Sequence, residues 1–441
     1  MTSDSKATRQ YLATYAEAEV AQLDALTLGT YHHCLVVPAH REAAECLQRI
    51  WPHQDPGLLL ILVLNSGTED DPITRRMLAS LLPAATSPLF ASHPSIQQAG
   101  NLHLIQRHDQ PDLLVVDRCQ PGRLIPASQG VGLARKIGAD LALALICKGL
   151  VGSPWINSTD ADVSLPADYF STEDKRAQAA AAAQLHPFRH VFSADLELAS
   201  RLYDIAMDYY VLGLRWAGSR YGFHSIGSTL SINARHYAQV RGFPRRNAAE
   251  DFYLLNKLAK TGTIALRSGQ PILIEARLSD RAPFGTGPTL THISAMHTPI
   301  TEYHYYDPQI FSLLRTFLRH ADNLLTMEPQ RSFAAQPQIM AWIEASGLAA
   351  QVQRQRRTQT QTRVFQRFLR DWFDGFRTLK FIHFMRAEYY PSINLHSVCD
   401  GLILPVKPIH DLNDVRLLHQ DLKLRLQQPA TEATIAAGLT K

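Results

Sequence analysis

Cysteine is scarce and scattered in this sequence. The five cysteines, Cys34, Cys46, Cys119, Cys147 and Cys399, are odd in number and form no Cys-x-x-Cys pair. That argues against a disulfide framework or a structural zinc site and fits a reducing compartment. Long apolar runs are missing as well. The longest clean run, Leu58 to Leu64, falls far short of the ~20 residues that cross a bilayer. The opening stretch, MTSDSKATRQYLATYAEAEVAQLDAL, has no apolar signal core. The expectation is a cytoplasmic chain, membrane-peripheral if it meets a membrane at all. A large excess of one charge is also absent: the net charge is +4 over 441 residues. This permits anionic substrates but gives no footprint for bulk nucleic-acid binding, and no nucleic-acid partner is expected. No internal repeat is visible.

What is present is a globular composition, 46% hydrophobic and 19% charged. Short all-apolar runs alternate with helical patterns. Cys34-Leu35-Val36-Val37, stopped by Pro38, reads as a buried strand; Glu42 to Ile50 as a helix; Leu58 to Leu64 as a second buried strand. Strand, helix and strand with wholly apolar strands imply a βαβ unit in a parallel sheet covered on both faces. Leu113-Leu114-Val115-Val116 is a third strand, and Gly130 to Leu145 a helix. Residues 83 to 111, rich in Pro, Ser, His and Gln, read as an irregular connection. Further on, helices are expected over Asp174 to Ala183, Glu197 to Trp216 and Ala248 to Ala259, and strands over Ser228 to Asn233 and Ile272 to Ala276. After about residue 300 the pattern turns helical, with Pro308 to Leu325, Ile339 to Arg356 and Thr362 to Met385. An N-terminal helix is expected over residues 5 to 27.

The centre of the pattern is Pro154-Trp155-Ile156-Asn157-Ser158-Thr159-Asp160-Ala161-Asp162-Val163. A short strand ends here in two carboxylates one residue apart. Alternate side chains of an extended chain point the same way, so Asp160 and Asp162 can meet at one point. A hard divalent cation suits such a pair and often shares its ligands with substrate phosphates. The alternative is a polar turn after a strand. The segment Arg354 to Arg370 holds six arginines and no acid. It reads as a solvated helix face, with contact between these C-terminal basic helices and a membrane surface or an acidic partner as the second reading.

Several fragments, taken in order, resemble the family-2 glycosyltransferases of the GT-A fold. They are Val36-Val37-Pro38-Ala39-His40-Arg41-Glu42; Leu62-Val63-Leu64-Asn65-Ser66-Gly67-Thr68-Glu69-Asp70; Gly130-Val131-Gly132-Leu133-Ala134-Arg135-Lys136-Ile137-Gly138; Asp160-Ala161-Asp162; and Gly227-Ser228, Gly242-Phe243 and Glu250-Asp251. The likeness covers about residues 32 to 290. It implies an α/β domain over 31–300 with a mostly parallel sheet and helices on both faces, an N-terminal helix over 1–30, and a C-terminal helical region over 301–441.

The resemblance also implies a chemistry: transfer of a sugar from a nucleotide-diphosphate donor to an acceptor hydroxyl, with inversion. The acceptor class, whether glycan, lipid or small molecule, stays open. Asp162, then Asp160, would hold Mn²⁺ or Mg²⁺. Asp251 would be the general base, with Glu250 beside it, and the alternative is that both acids only complement a helix N-terminus. Pro38, Ala39, Glu42, Asn65, Arg135 and Asp160 would line the nucleotide site. Asn65 stands where an acid is common, and Lys136 where Asn is common. Arg277 and Arg281, in a Gly-Thr-Gly loop, are expected to close over diphosphate or acceptor, or else to be solvated arginines on a rigid turn. His292 and His297 lie just beyond as further metal-ligand candidates. A nucleotidyltransferase and a non-catalytic scaffold on the same fold are the rival readings.

Overall fold

The computed structural model describes residues 5–51, 53, 55–68, 71–82, 95–171, 181–279, 285–358, 361–399, 402–404 and 407–427. The chain divides into two compact units, Met1–Val191 with Ser225–Glu275, and Phe192–His224 with Ala276–Lys441.

The first unit is α/β. Its strands are β1 His33–Ala39, β2 Leu58–Asn65, β3 Ser95–Ala99, β4 Leu102–Gln106, β5 Asp112–Arg118, β6 Trp155–Ser158, β7 Val163–Ser164, β8 Ala181–Leu185, β9 Phe188–Val191, β10 Leu230–Asn233, β11 Thr263–Leu266 and β12 Ile272–Glu275. Its helices are α1 Lys6–Thr14, α2 Cys46–Ile50, α3 Pro72–Leu81, α4 Gly130–Cys147, α5 Ala234–Gln239 and α6 Glu250–Leu258. Nine strands form one sheet in the order β11-β8-β10-β6-β1-β2-β5-β4-β3. The sheet is mixed, which corrects the expectation of a mostly parallel one. The centre, β6-β1-β2-β5, is parallel, but β10 runs antiparallel to both β6 and β8, and β4 antiparallel to both β3 and β5. A second, three-stranded sheet has the order β7-β12-β9.

The central strands are apolar throughout because both faces are covered. Every residue of β2 is buried. On one face Leu35, Val37, Leu60 and Leu62 pack with α2 and α3 through Cys46, Ile50, Met77 and Leu81, and with Ile272 and Ile274 of β12. On the other face lies α4. Gly138 brings its backbone so close that a Cβ there would sit 2.4 Å from Val36 Cγ1.

Three expectations fail locally. Residues 95–106 form the β3–β4 hairpin, whose turn uses Gly100 at φ +57°. Ala181–Ala183, expected at the end of a helix, lie in β8 and are wholly buried. Alanine's helical preference yields to a place in the sheet that wants small side chains: Ala182 is 3.1 Å from where a Cβ on Gly262 would stand. Residues 174–180 of that expected helix lie outside the described residues. Near the N-terminus the single helix is instead α1 followed by 3₁₀ turns over Ala18–Ala25.

The second unit is helical. Its long helix Glu197–Ala217 buries Leu202, Ile205 and Tyr209 against an aromatic core containing Phe311, Phe317, Phe333, Trp342 and Phe381. The two long helices expected over 339–356 and 362–385 are each broken. The breaks fall at Gly347, φ +72°, and at Asp374, which caps the next helix by accepting from Arg377 N. Helix Thr362–Trp372 sends Phe365 and Leu369 into the core and exposes Arg363, Arg367 and Arg370. Its strong two-sidedness is thus matched by the unit's own core. Among the described residues no helix is long and apolar enough to cross a membrane.

Candidate active site

The order of the parallel strands fixes where a ligand can sit. From β1 the chain moves to β2 and then β5 on one side, and then returns to place β6 on the other side of β1. The winding reverses between β1 and β6. In open α/β sheets the crevice beyond the carboxyl ends of the strands at such a reversal is where ligands bind. Pro38 and Ala39 end β1, and Asp160 follows β6 by two residues.

Arg135 is the hub of this end of the sheet. It projects from the second turn of α4 and is only 3% exposed. Its Nε donates to Glu250 Oε1 at 2.8 Å, its Nη2 to Asp160 Oδ1 at 2.5 Å, and its Nη1 to Ser158 Oγ at 2.9 Å and Thr159 O at 3.2 Å. One guanidinium therefore binds the end of β6 to the start of α6. Burial disfavours its charge, but Asp160 and then Glu250 outweigh that and hold it firmly protonated. Gly227 makes the room, since a Cβ there would stand 2.3 Å from Arg135 Nη2. Arg135 is expected to line the nucleotide site, and its guanidinium fork is committed to these two carboxylates.

The helix α6 enters this cluster through strained backbone. Ala249, the residue before it, adopts φ +58° and ψ +20°, a left-handed conformation uncommon for a residue with a side chain. Glu250 and Asp251 follow in the first turn. Glu250 is buried on Arg135, and Asp251 is half-buried beside it. The Asp251 carboxyl is pushed up to about 7, first by burial, then by the Glu250 charge and further by Asp160, against the pull of Arg135. A carboxyl poised there suits proton abstraction near neutral pH.

The loop before Ala249 rests on the start of α4, which explains the glycines of that motif. Gly132 N donates to Arg246 O at 2.9 Å. A Cβ on Gly132 would stand 2.4 Å from Arg246 O and 2.5 Å from Pro244 O; one on Gly130 would meet Asn247 Oδ1 at 2.0 Å. Gly132 serves a close approach of backbone to backbone, and Gly130, at φ +37°, leaves room for the Asn247 side chain.

Asp162 has other surroundings. Ala161 and Asp162 form a turn between β6 and β7, so the alternation of an extended strand does not bring the two acids together. Asp162 and Glu42 both lie near enough to Cys46 to help raise its thiol, after burial as the main cause. Arg49 fixes this turn by donating to Ala161 O at 3.0 Å and pairing with Glu275 at 2.8 Å. Asn65, 8% exposed, ends β2; its carbonyl contacts His40 Nδ1 at 2.9 Å. Glu42 is half-buried in the irregular stretch before α2, so the helix expected from residue 42 begins at Cys46.

Lys136 neither reaches the crevice nor lies on the surface. It is buried and donates to Asp140 Oδ2 at 2.7 Å, Tyr11 Oη at 2.7 Å and Tyr15 O at 2.9 Å. Arg277 is half-buried in the second unit, Arg281 lies outside the described residues, and His292 and His297 are exposed in the second unit. Sequence reasoning missed Ser158, Tyr11, Asp140 and Tyr237, whose partners are distant in the chain.

Among the described residues no three His, Cys, Asp or Glu side chains gather as a self-sufficient metal site. The donor chemistry still fits a hard cation shared with a ligand. Asp160, partly exposed with one oxygen on Arg135, and Asp162 in the turn beyond it supply oxygen donors of the kind such an ion takes.

No protein-family model and no curated protein matches the chain. Among solved structures, the mannosyltransferase PcManGT from Pyrobaculum calidifontis, in complex with GDP-Man and Mn²⁺, aligns over 98% of this chain and 92% of its own. The identity is 14% and the TM-score 0.31, a likeness too slight to assign a fold or a substrate.

Proposed function

We propose that this chain transfers a sugar from a nucleotide-diphosphate donor to an acceptor hydroxyl, with inversion at the anomeric carbon. The observation that carries the reading is the pairing of Asp160 and Glu250 on the single buried Arg135, with Asp251 held near 7 beside them, where the sheet's winding reverses.

Each part has a role. Asn65, Pro38, Ala39 and Glu42, at the ends of β1 and β2, are assigned to the nucleoside. Asp162 and Asp160 would hold Mn²⁺ or Mg²⁺, which supplies electrostatic stabilisation of the departing diphosphate. Arg135 acts indirectly, fixing Asp160 and Glu250 relative to one another. Glu250 keeps the Asp251 carboxyl basic. Asp251 takes the acceptor's hydroxyl proton as that oxygen attacks the anomeric carbon from the face opposite the diphosphate.

The test is Asp251→Asn, which keeps the side chain's size and removes the base. Nucleotide and nucleotide-sugar binding, read as a thermal shift with UDP, GDP, dTDP and their sugars with and without Mn²⁺, should match the parent. Transfer should fall by a factor of about 10² to 10⁴. Unchanged turnover in this variant would remove Asp251 from the mechanism. Pyrophosphate in place of a nucleoside diphosphate as product would make the chain a nucleotidyltransferase.

A further inference from the structure

We infer that residues 11–17, at the end of α1 and just beyond it, form a strap that positions Glu250 and Asp251, with Tyr11, Tyr15, Glu17 and Arg245 as positioning residues. The inference rests on the proposed role of Asp251.

The loop Arg241–Ala249 connects α5 to α6 and delivers the two acids. It has a left-handed residue with a side chain at each end, Arg241 at φ +65° and Ala249 at φ +58°, and Gly242 at φ +68° between them. Such backbone persists where its surroundings over-determine it. One support is the α4 N-terminus, through Gly132 N and Arg246 O. A second group comes from the N-terminal segment together with Tyr237 of α5. Gly242 sits on two phenols: a Cβ there would stand 2.3 Å from Tyr11 Oη and 2.8 Å from Tyr237 Oη. Those phenols donate to one oxygen of the fully buried Asp140, at 2.6 and 2.8 Å, while Lys136 and the Glu17 amide satisfy the other, at 2.7 and 2.9 Å. The Arg241 guanidinium lies 4.7 Å from the centre of the Tyr15 ring. Arg245 reaches Glu17 Oε1 through Nε at 2.9 Å and Nη2 at 2.8 Å.

A fold needs a buried anchor here, and Asp140 provides one. The outer contacts do something narrower, since the Arg245 and Arg241 side chains are exposed and meet Glu17 and Tyr15 of the strap. They hold the loop in register with α4, and a misplacement on the scale of 1 Å at a reacting group costs about a hundredfold in rate.

The experiment compares the full-length parent with Arg245→Ala, with Arg245→Ala combined with Tyr15→Leu, and with Arg245→Lys. Donor KM, kcat, thermal midpoint and amide hydrogen exchange are measured for each. The expected result is a kcat reduced about tenfold in the single variant and up to about a hundredfold in the double variant. Donor KM and midpoint should stay near the parent's. Exchange should quicken over residues 241–253 alone, and Arg245→Lys should recover part of the loss. Unchanged kcat and exchange in the double variant overturns the strap. So does a loss of midpoint with faster exchange throughout the first unit, which would mean a merely structural role. Localised faster exchange in a protein whose parent transfers no sugar would leave the strap standing and sink the transferase reading instead.

Discussion

Asp251 shows how a single side chain takes its properties from neighbours. Burial and the Glu250 charge raise its carboxyl, so below about 7 it carries a proton and cannot serve as a base. Transfer should therefore rise with pH across that region, with an acid limb in kcat/KM near 7. Glu250→Gln removes the nearest like charge while keeping an oxygen for Arg135 Nε, so the limb should move to lower pH; a stationary limb would mean that another group titrates. Stability follows the opposite course. Because the folded carboxyl binds its proton more tightly than the unfolded one, this group's contribution to stability is greatest below its unfolded value and declines as pH rises towards 7. Such a site gives up some stability for chemistry. The residue level is also where the sequence was hardest to read. Asp160 and Glu250 could be picked out as acids in suggestive company, but nothing along the chain marks Arg135 as the cation between them, because the three are brought together only by folding.

At the level of elements, α4 is a platform for the loop that delivers Glu250 and Asp251. Its first turn is bare backbone so that the Pro244–Asn247 loop can lie on it. Gly132→Ala would drive a Cβ into two carbonyl oxygens of that loop, and backbone cannot swing aside as a flexible side chain can. The cost of such overpacking is about 1–3 kcal/mol, and the displaced loop should take Asp251 with it. The expected outcome is a lowered thermal midpoint and a larger loss in kcat, whereas Gly29→Ala, which meets only the Tyr31 ring at 3.7 Å, should alter neither. Elements differed in how plainly the sequence announced them. β1, β2 and β5 are legible because strands covered on both faces must be apolar throughout. β3 is not, because four of its five residues lie open or half-open at the sheet's edge and are mostly polar. β8 is not, because its alanines speak for helix. The direction of β10, which makes the sheet mixed, leaves no local mark at all.

At the level of the whole molecule, each unit is stitched from separated segments. The second unit joins its long helix Glu197–Ala217 to the distant helix Leu412–Gln427. Arg416 grips Glu197 through two hydrogen bonds of 2.7 Å, and Lys423 lies 3.0 Å from the buried Asp208. Val415, Leu418 and Leu422 bury beside those charges. Between them the chain has completed β10 to β12 of the first unit, including β10 itself, which joins β6 to β8. This interleaving has a consequence for synthesis and for dissection. A nascent chain stopped at Val191 has made Arg135 and Asp160 but not Glu250, and its sheet lacks the strand that unites β8 with the centre. A chain stopped at Glu275 has every strand of the large sheet, yet carries Leu202, Ile205 and Tyr209 without the helices that cover them. Both truncations should appear in the insoluble fraction, whereas one that joins Val191 to Ser225 through a Gly-Ser linker and ends at Glu275 should stay soluble. No cut at a single point releases either unit, so a ribosome must deliver the chain as far as Glu275 before the first core can close, and nearly the entire chain before the second can.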